Sequence, residues 1–276
     1  MLNDDGIELW QVDAFTDRPF AGNPAAVCVL DRFPSDRWMQ DVAAEMNLSE
    51  TSFVVATDRP GHFDLRWFTP ATEVDLCGHA TLATAHVLLE RDIVDRQHPI
   101  RFNTRSGELL CEYRDHSITM DFPSTPPRPC DSDTLAREAC DALGVGKAIV
   151  LQSPFDLLVI VDDGSIVESA LPDFSALTKL QTRGVMLTSP STRDGIDFVS
   201  RFFAPSCGIN EDPVTGSAHC CLAPYWAQVF GRQDLVGYQA SSRGGIVTCK
   251  IVGDRVHLSG NAVTVMQARL KVAIDH

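Results

Sequence analysis

The residues of this chain best able to do chemistry stand beside glycines. His79 follows Gly78, Ser217 follows Gly216, and Asp212 lies just upstream of the second pair. Each glycine opens an apolar, helix-like segment, so each marks a helix N-terminus whose free N–H groups and dipole suit a carboxylate or a developing oxyanion. Glycine at such a start lets ligand and backbone approach closely. Pro213 holds Asp212 extended in a tight loop. An imidazole and a carboxylate together can shuttle protons on a small molecule that itself carries a carboxylate. Plainer roles are open at this point: a helix-terminal hydrogen bond for His79 and a loop cap for Asp212.

Two further positions are weaker candidates. Gly22, Asn23 and Pro24 form a loop between strands, which reads as a turn of residues tolerant of special backbone angles. Its functional alternative is a pocket lined by backbone and the Asn23 amide. Glu50 falls where a helix passes into a strand, a position at which a glutamate is ordinarily a solvated charge. His79 and His86 lie seven apart on one helix face, but no third ligand stands at metal spacing, so no metal is expected. No GxGxxG follows a strand, and Gly144 to Lys147 lacks the spacing and Ser/Thr of a P-loop. No GxSxG elbow occurs.

The elements that must position these residues repeat. Arg66-Trp-Phe-Thr-Pro leads through an acidic loop to Gly78-His-Ala, and Arg201-Phe-Phe-Ala-Pro leads likewise to Gly216-Ser-Ala. The period is too long for a solenoid unit of roughly 20–50 residues, so the repeat implies two related domains facing one cleft. Strands are expected at 8–15, 25–30, 48–55, 62–68, 100–104, 107–113 and 117–122 in the first domain. A helix over 35–46 starts at Ser35 and ends at Asn47, and a nearly all-apolar helix over 78–90 is of the kind enclosed by a sheet. Four prolines within 123–130 mark the boundary. Beyond it come helices at 133–143, 174–180 and 217–230 and strands at 148–152, 156–161, 184–188, 198–203, 245–252, 255–259 and 262–270. The order of elements, repeated in both halves, gives an α+β fold class of two similar domains, 1–123 and 131–267, each with one buried helix. A tail from about 268 to 276 packs back on the first.

Composition narrows the function classes. The formal charge of −14 argues against nucleic acid or an anionic membrane as the main partner. No apolar run approaches the roughly 18 residues that span a bilayer, and the N-terminal residues lack the pattern of a signal peptide. Nine cysteines without a CxxC pair fit reduced thiols. A cytoplasmic protein is expected.

Five segments also carry a family resemblance. They are Asp13-Ala-Phe with Gly22-Asn23-Pro24, Asn47-Leu-Ser-Glu-Thr-Ser-Phe53, Cys77-Gly-His-Ala-Thr81, Glu211-Asp-Pro-Val-Thr-Gly-Ser-Ala218 and Ser259-Gly-Asn-Ala-Val-Thr-Val265. In order, over nearly the whole chain, they resemble the PhzF family of phenazine-biosynthesis isomerases. The resemblance implies a diaminopimelate-epimerase-like fold, in which each domain is a mostly antiparallel sheet wrapped around its central helix. It also implies a site in the cleft between pseudo-symmetric domains, and a homodimer. It implies cofactor-free proton transfer between carbons, as on trans-2,3-dihydro-3-hydroxyanthranilate. The family's acid/base glutamate falls on Glu50, overturning the solvated reading; shielding from water would raise its pKa for that task. The pocket histidine and aspartate fall on His79 and Asp212, and the helix-start contacts on Gly78, Gly216 and Ser217. Related epimerases use two thiols. Cys77 matches the first, but Thr215 stands at the second, which disfavours an amino-acid epimerase or racemase. The rival from another class is a non-catalytic metabolite-binding protein on the same fold.

Overall fold

The computed structural model describes residues 6–275. The chain divides into two compact units, Met1–Asp121 with Ser259–His276, and Phe122–Leu258. Along the first run β1 (Ile7–Ala14), β2 (Asn23–Leu30), α1 (Asp36–Met46), β3 (Glu50–Ala56), β4 (His62–Phe68), β5 (Glu73–Val74), α2 (Gly78–Glu90), β6 (Ile100–Thr104), β7 (Gly107–Arg114) and β8 (Ser117–Pro123). The second adds β9 (Arg128–Pro129), α3 (Asp133–Leu143), β10 (Ile149–Gln152), β11 (Asp156–Ile160), α4 (Gly164–Ser169), α5 (Phe174–Leu177), β12 (Gly184–Pro190) and β13 (Phe198–Ala204). It continues with β14 (Ile209–Asp212), α6 (Gly216–Phe230), β15 (Asp234–Gln239), β16 (Gly245–Val252) and β17 (Arg255–Gly260), and β18 (Ala262–Leu270) returns to the first.

Both units use the same pairing scheme. In the first, β1–β2 is antiparallel, β2–β3 parallel, β3–β4 antiparallel, β4–β6 parallel and β6–β7 antiparallel. In the second, β10–β11, β11–β12, β12–β13, β13–β15 and β15–β16 follow in the same order of senses. The short strands β5 and β14 sit at equivalent places, antiparallel to β4 and β13. This is the α+β architecture of two similar, mostly antiparallel domains.

Each sheet encloses one apolar helix. In α2 every residue from His79 to Leu89 except His86 is buried. α6 buries eight residues between Gly216 and Trp226. Pro224 lies inside α6 and cannot donate to the Cys220 carbonyl one turn earlier. The Thr125 N–H, from the proline-rich segment, donates to that carbonyl instead at 3.0 Å. The outer helix α1 instead shows a one-sided pattern: Trp38, Met39, Val42 and Ala43 face inward. Trp38 meets Phe53 edge-on, and Phe53 meets Phe68. Burying each such ring is worth roughly 1.5–3 kcal/mol.

The structure departs from the sequence expectation in several places. β18 belongs with the first unit, not with a second domain ending at 267, because β1 takes up its backbone hydrogen bonds from Ile7↔Leu270 to Ala14↔Ala262. The helix expected over 174–180 ends at Leu177, and the short α4, capped by Asp163, was not expected. β15 was not expected either. The tail does pack back: the Trp38 indole donates to the Ala273 carbonyl, and the Ser35 N–H to that of Asp275.

Candidate active site

The helix starts separate into two kinds. α1, α3, α4 and α5 are each closed by a side chain, from Ser35, Ser132, Asp163 and Asp173, that accepts a first-turn N–H. α2 and α6 are preceded by Cys77 and Thr215, and neither side chain caps its helix. The first N–H groups at Gly78 and His79, and at Gly216 and Ser217, thus receive no cap from the preceding side chain and remain suited to an anion.

In the first unit the loop from β1 turns through Gly22, at φ +64°, and delivers Asn23 to the start of β2. β3 runs parallel to β2 with Ala25 opposite Glu50. Glu50 is only 9% exposed. Its Oε2 lies 3.0 Å from His79 Nε2. Asn23 Nδ2 lies 3.1 Å from His79 Nδ1, while Ser49 Oγ donates to Asn23 Oδ1 at 3.0 Å. The pocket-lining amide expected at Asn23 is therefore turned onto the imidazole and fully buried. This contact serves a neutral ring, which accepts at Nδ1. An imidazolium needs the amide reversed, and the Ser49 hydroxyl, able to donate or accept, permits it.

Burial alone would discharge His79, but the neighbouring Cys77 and Glu50 outweigh it and hold its pKa well above the ordinary 6.5. Cys77, whose sulfur is 3.6 Å from His79 Nδ1, is itself pushed up to about 11, first by burial and then by Glu50. Its thiol is neutral near pH 7, so the charge that favours the imidazolium there is that of Glu50. Both ring nitrogens of His79 are engaged by polar neighbours. One of them faces a carboxylate, an arrangement that suits proton transfer.

In the second unit Asp212 ends β14, and its Oδ2 accepts from Thr215 Oγ1 at 2.5 Å. Gln239 braces the same loop from β15, donating to the Asp212 carbonyl at 2.7 Å and accepting from the Thr215 N–H at 2.9 Å. Ser217 Oγ accepts from Arg183 Nη2 at 3.2 Å. Arg183 is fixed in turn by a two-pronged pair with the buried Asp156. The repeated arginines brace the loops that precede the helices. Arg66 holds Glu73 through two hydrogen bonds of 2.7 Å, and Arg201 holds Glu211 through bonds of 2.7 and 2.9 Å.

One turn into α6, His219 is wholly buried, and its Nδ1 donates to the Thr215 carbonyl at 2.8 Å. Its Nε2 has no hydrogen-bond partner among the described residues. Burial lowers its pKa from 6.5 to about 4. The stability this implies is complete above pH 6.5 and is lost as pH falls toward 4, because the unfolded chain takes up the proton first. The loss across that window should be about 3 kcal/mol. Chemical denaturation at pH 7 and pH 4 should show it in the native protein, and a His219→Leu variant should lack that share of the pH dependence.

Glu50, Cys77 and His79 could also hold a divalent cation, since one donor atom from each falls within 4.8 Å of the others. Their types suit zinc. His86 stands apart from this set, its Nε2 3.1 Å from Thr264 Oγ1.

The model of the phenazine biosynthesis-like protein family, PhzC-PhzF, matches residues 12–268. The chain belongs to the PhzF family. It is 50% identical to an uncharacterized isomerase of Pseudomonas aeruginosa, over 96% of this chain and 98% of that one. Identity to another, from Halalkalibacterium halodurans, is 48% over 95% and 97%. The crystal structure of a PhzF-family phenazine biosynthesis protein of Enterococcus faecalis superposes with a TM-score of 0.90 at 39% identity, covering 97% of this chain and all of the other. A probable proline racemase of Agrobacterium radiobacter, 12% identical with a TM-score of 0.61, shares the fold alone. The chain is accordingly an isomerase-type enzyme of this family. No described helix is long and apolar enough to cross a membrane.

For this PhzF-family isomerase the structure brings Glu50, His79 and Asn23 into contact, and it places Asp212 and Ser217 around the start of α6. Sequence reasoning missed Ser49, Asp156, Arg183 and Gln239. Asp156 and Arg183 meet only because β11 and β12 run parallel with Asp156 opposite Gly184. The two Arg–Glu braces were legible in outline, as an arginine and an acidic loop in each repeat.

Proposed function

We propose that the protein is a cofactor-independent isomerase that moves a proton between carbons of a small carboxylate-bearing metabolite of the dihydro-hydroxyanthranilate kind. Glu50 is the proton carrier. His79 polarises the substrate and balances the charge of Glu50. Asp212, Ser217 and the uncapped N–H groups at Gly78 and Gly216 bind the substrate's carboxylate or the oxyanion formed in the reaction. The observation that carries the reading is the buried Glu50–His79 pair at 3.0 Å, to which no arginine or second carboxylate is bonded among the described residues. A glutamate kept from solvent yet not locked into a structural ion pair with arginine is free to take a proton from carbon. The homodimer and cytoplasmic location implied by the resemblance belong to the same proposal. A two-thiol racemase is disfavoured by Thr215, whose hydroxyl is no comparable acid near neutral pH.

The test is proton NMR in D2O, with trans-2,3-dihydro-3-hydroxyanthranilate and a panel of small amino and hydroxy acids as probes. The native enzyme should exchange one carbon-bound hydrogen of its substrate and form an isomer, with the rate unchanged after EDTA dialysis. Activity lost to EDTA and restored by zinc would instead assign Glu50, Cys77 and His79 to a metal. Tight binding of a probe without exchange would favour the binding protein.

A further inference from the structure

Thr215 stands out in the sequence only for the thiol it lacks. In the structure it is a hub. Its N–H donates to Gln239 Oε1, its carbonyl accepts from His219 Nδ1, and its hydroxyl donates to Asp212 Oδ2. Gln239 Nε2 also approaches Thr215 Oγ1 at 3.2 Å.

These contacts have one direction. The Gln239 amide has a single orientation, because a backbone N–H fixes Oε1 as acceptor and the Asp212 carbonyl fixes Nε2 as donor. Nε2 therefore donates into a Thr215 lone pair, and the one hydroxyl proton is left for the Asp212 carboxylate. Gln239 is 0% exposed, so water does not compete for its side chain. Ser241 Oγ steadies the loop further by donating to the Pro213 carbonyl at 2.9 Å. Arg183, already paired with Asp156, also acts on Asp212 by its charge, while the adjacent Glu211 is taken by Arg201.

We propose that Gln239 and Thr215 are positioning residues for Asp212, forming a one-way hydrogen-bond relay that keeps its carboxylate an ionised acceptor. A donor to the charged form of a carboxyl stabilises that form, and a chain of donors polarises each link. Asp212 then works on the substrate by accepting hydrogen bonds and by its charge, and does not serve as a proton donor. This consequence rests on the function proposed above. The relay itself does not.

The experiment uses the full-length protein. The Asp212 carboxyl is followed by 13C NMR across pH, its signal assigned by difference with Asp212→Asn. In Thr215→Val, which keeps shape and loses the hydroxyl, the titration midpoint should rise by about one pH unit. Thr215→Ser should restore the native midpoint. Gln239→Leu, which leaves the Asp212–Thr215 contact in place, should raise it by a smaller amount and decides the matter if Thr215→Val does not fold. On a turned-over substrate, the acidic limb of the kcat/KM profile should move with the midpoint. An unmoved midpoint in folded Thr215→Val or folded Gln239→Leu would overturn the relay, even if isomerase activity is found. A midpoint that moves while no probe is isomerised would uphold the relay and count against the isomerase.

Discussion

Glu50→Gln should lower turnover by about 10³-fold while the folded protein persists. Glutamine keeps the volume and leaves an oxygen able to accept from His79 Nε2–H, so the contact that closes the site can survive. Its amide cannot take a proton from carbon. Loss of positioned acid/base catalysis costs roughly 10²–10⁴-fold, and a thousandfold corresponds to about 4 kcal/mol of barrier. His79 should lose the charge that holds its pKa up, and burial should then keep the ring neutral. In the native enzyme the stability gained from that raised pKa is full below pH 6.5 and fades as pH rises through the higher folded value. The variant should lack this dependence. Steady-state rates with thermal unfolding separate the two effects: activity near native levels would remove Glu50 from the chemistry, and an unfolded variant would show that the glutamate is structural.

The second large effect is expected at Gly22. A Cβ there would lie 2.1 Å from the Ala14 carbonyl oxygen and 2.9 Å from Thr16 Cγ2, with the backbone at φ +64°. Ala14 pairs with Asn23 in the β1–β2 ladder, so neither wall can retreat without moving Asn23 off His79. Gly22→Ala should cost roughly 3 kcal/mol or more and impair activity in whatever fraction folds. Gly231 is the control. It has φ +67° but nothing within 4 Å of an added Cβ, so Gly231→Ala should cost only about 1 kcal/mol. Urea unfolding of the two variants measures the difference, and equal losses would refute the argument from close approach.

Much of the fold could be read from local signals. Ser35 caps its helix, and Asn47 and Gly144 end theirs in the left-handed conformation that those two residue types tolerate. The two enclosed helices were visible as apolar segments with no polar face. β15 was hidden by Gly237, which weakens a strand pattern. The glycine is there for a tertiary reason: Phe198 sits directly opposite, and a Cβ would come within 2.5 Å of its ring. β18 was legible as a strand but not as a partner of β1, because nothing local records which distant strand satisfies its backbone.

The candidate site was readable to a similar depth. Gly78, His79, Gly216, Ser217 and Asp212 announce themselves by type and spacing. Glu50 looked like a surface charge on position alone. It is buried because parallel pairing with β2 carries the start of β3 over the start of α2, and parallel pairing leaves no local trace. The braces from Gln239, Arg183 and Asp156 were silent for the same reason.

The central claim is that the Glu50 carboxylate itself carries the proton, and an isotope followed through one turnover addresses it most directly. The substrate would bear deuterium on the carbon that loses its hydrogen, with the reaction run in H2O under enzyme excess. A single shielded carboxylate predicts that part of the deuterium reappears on the accepting carbon, and that Glu50→Gln transfers none. Complete washout by the native enzyme, with isomer formed as fast by Glu50→Gln, would contradict the account.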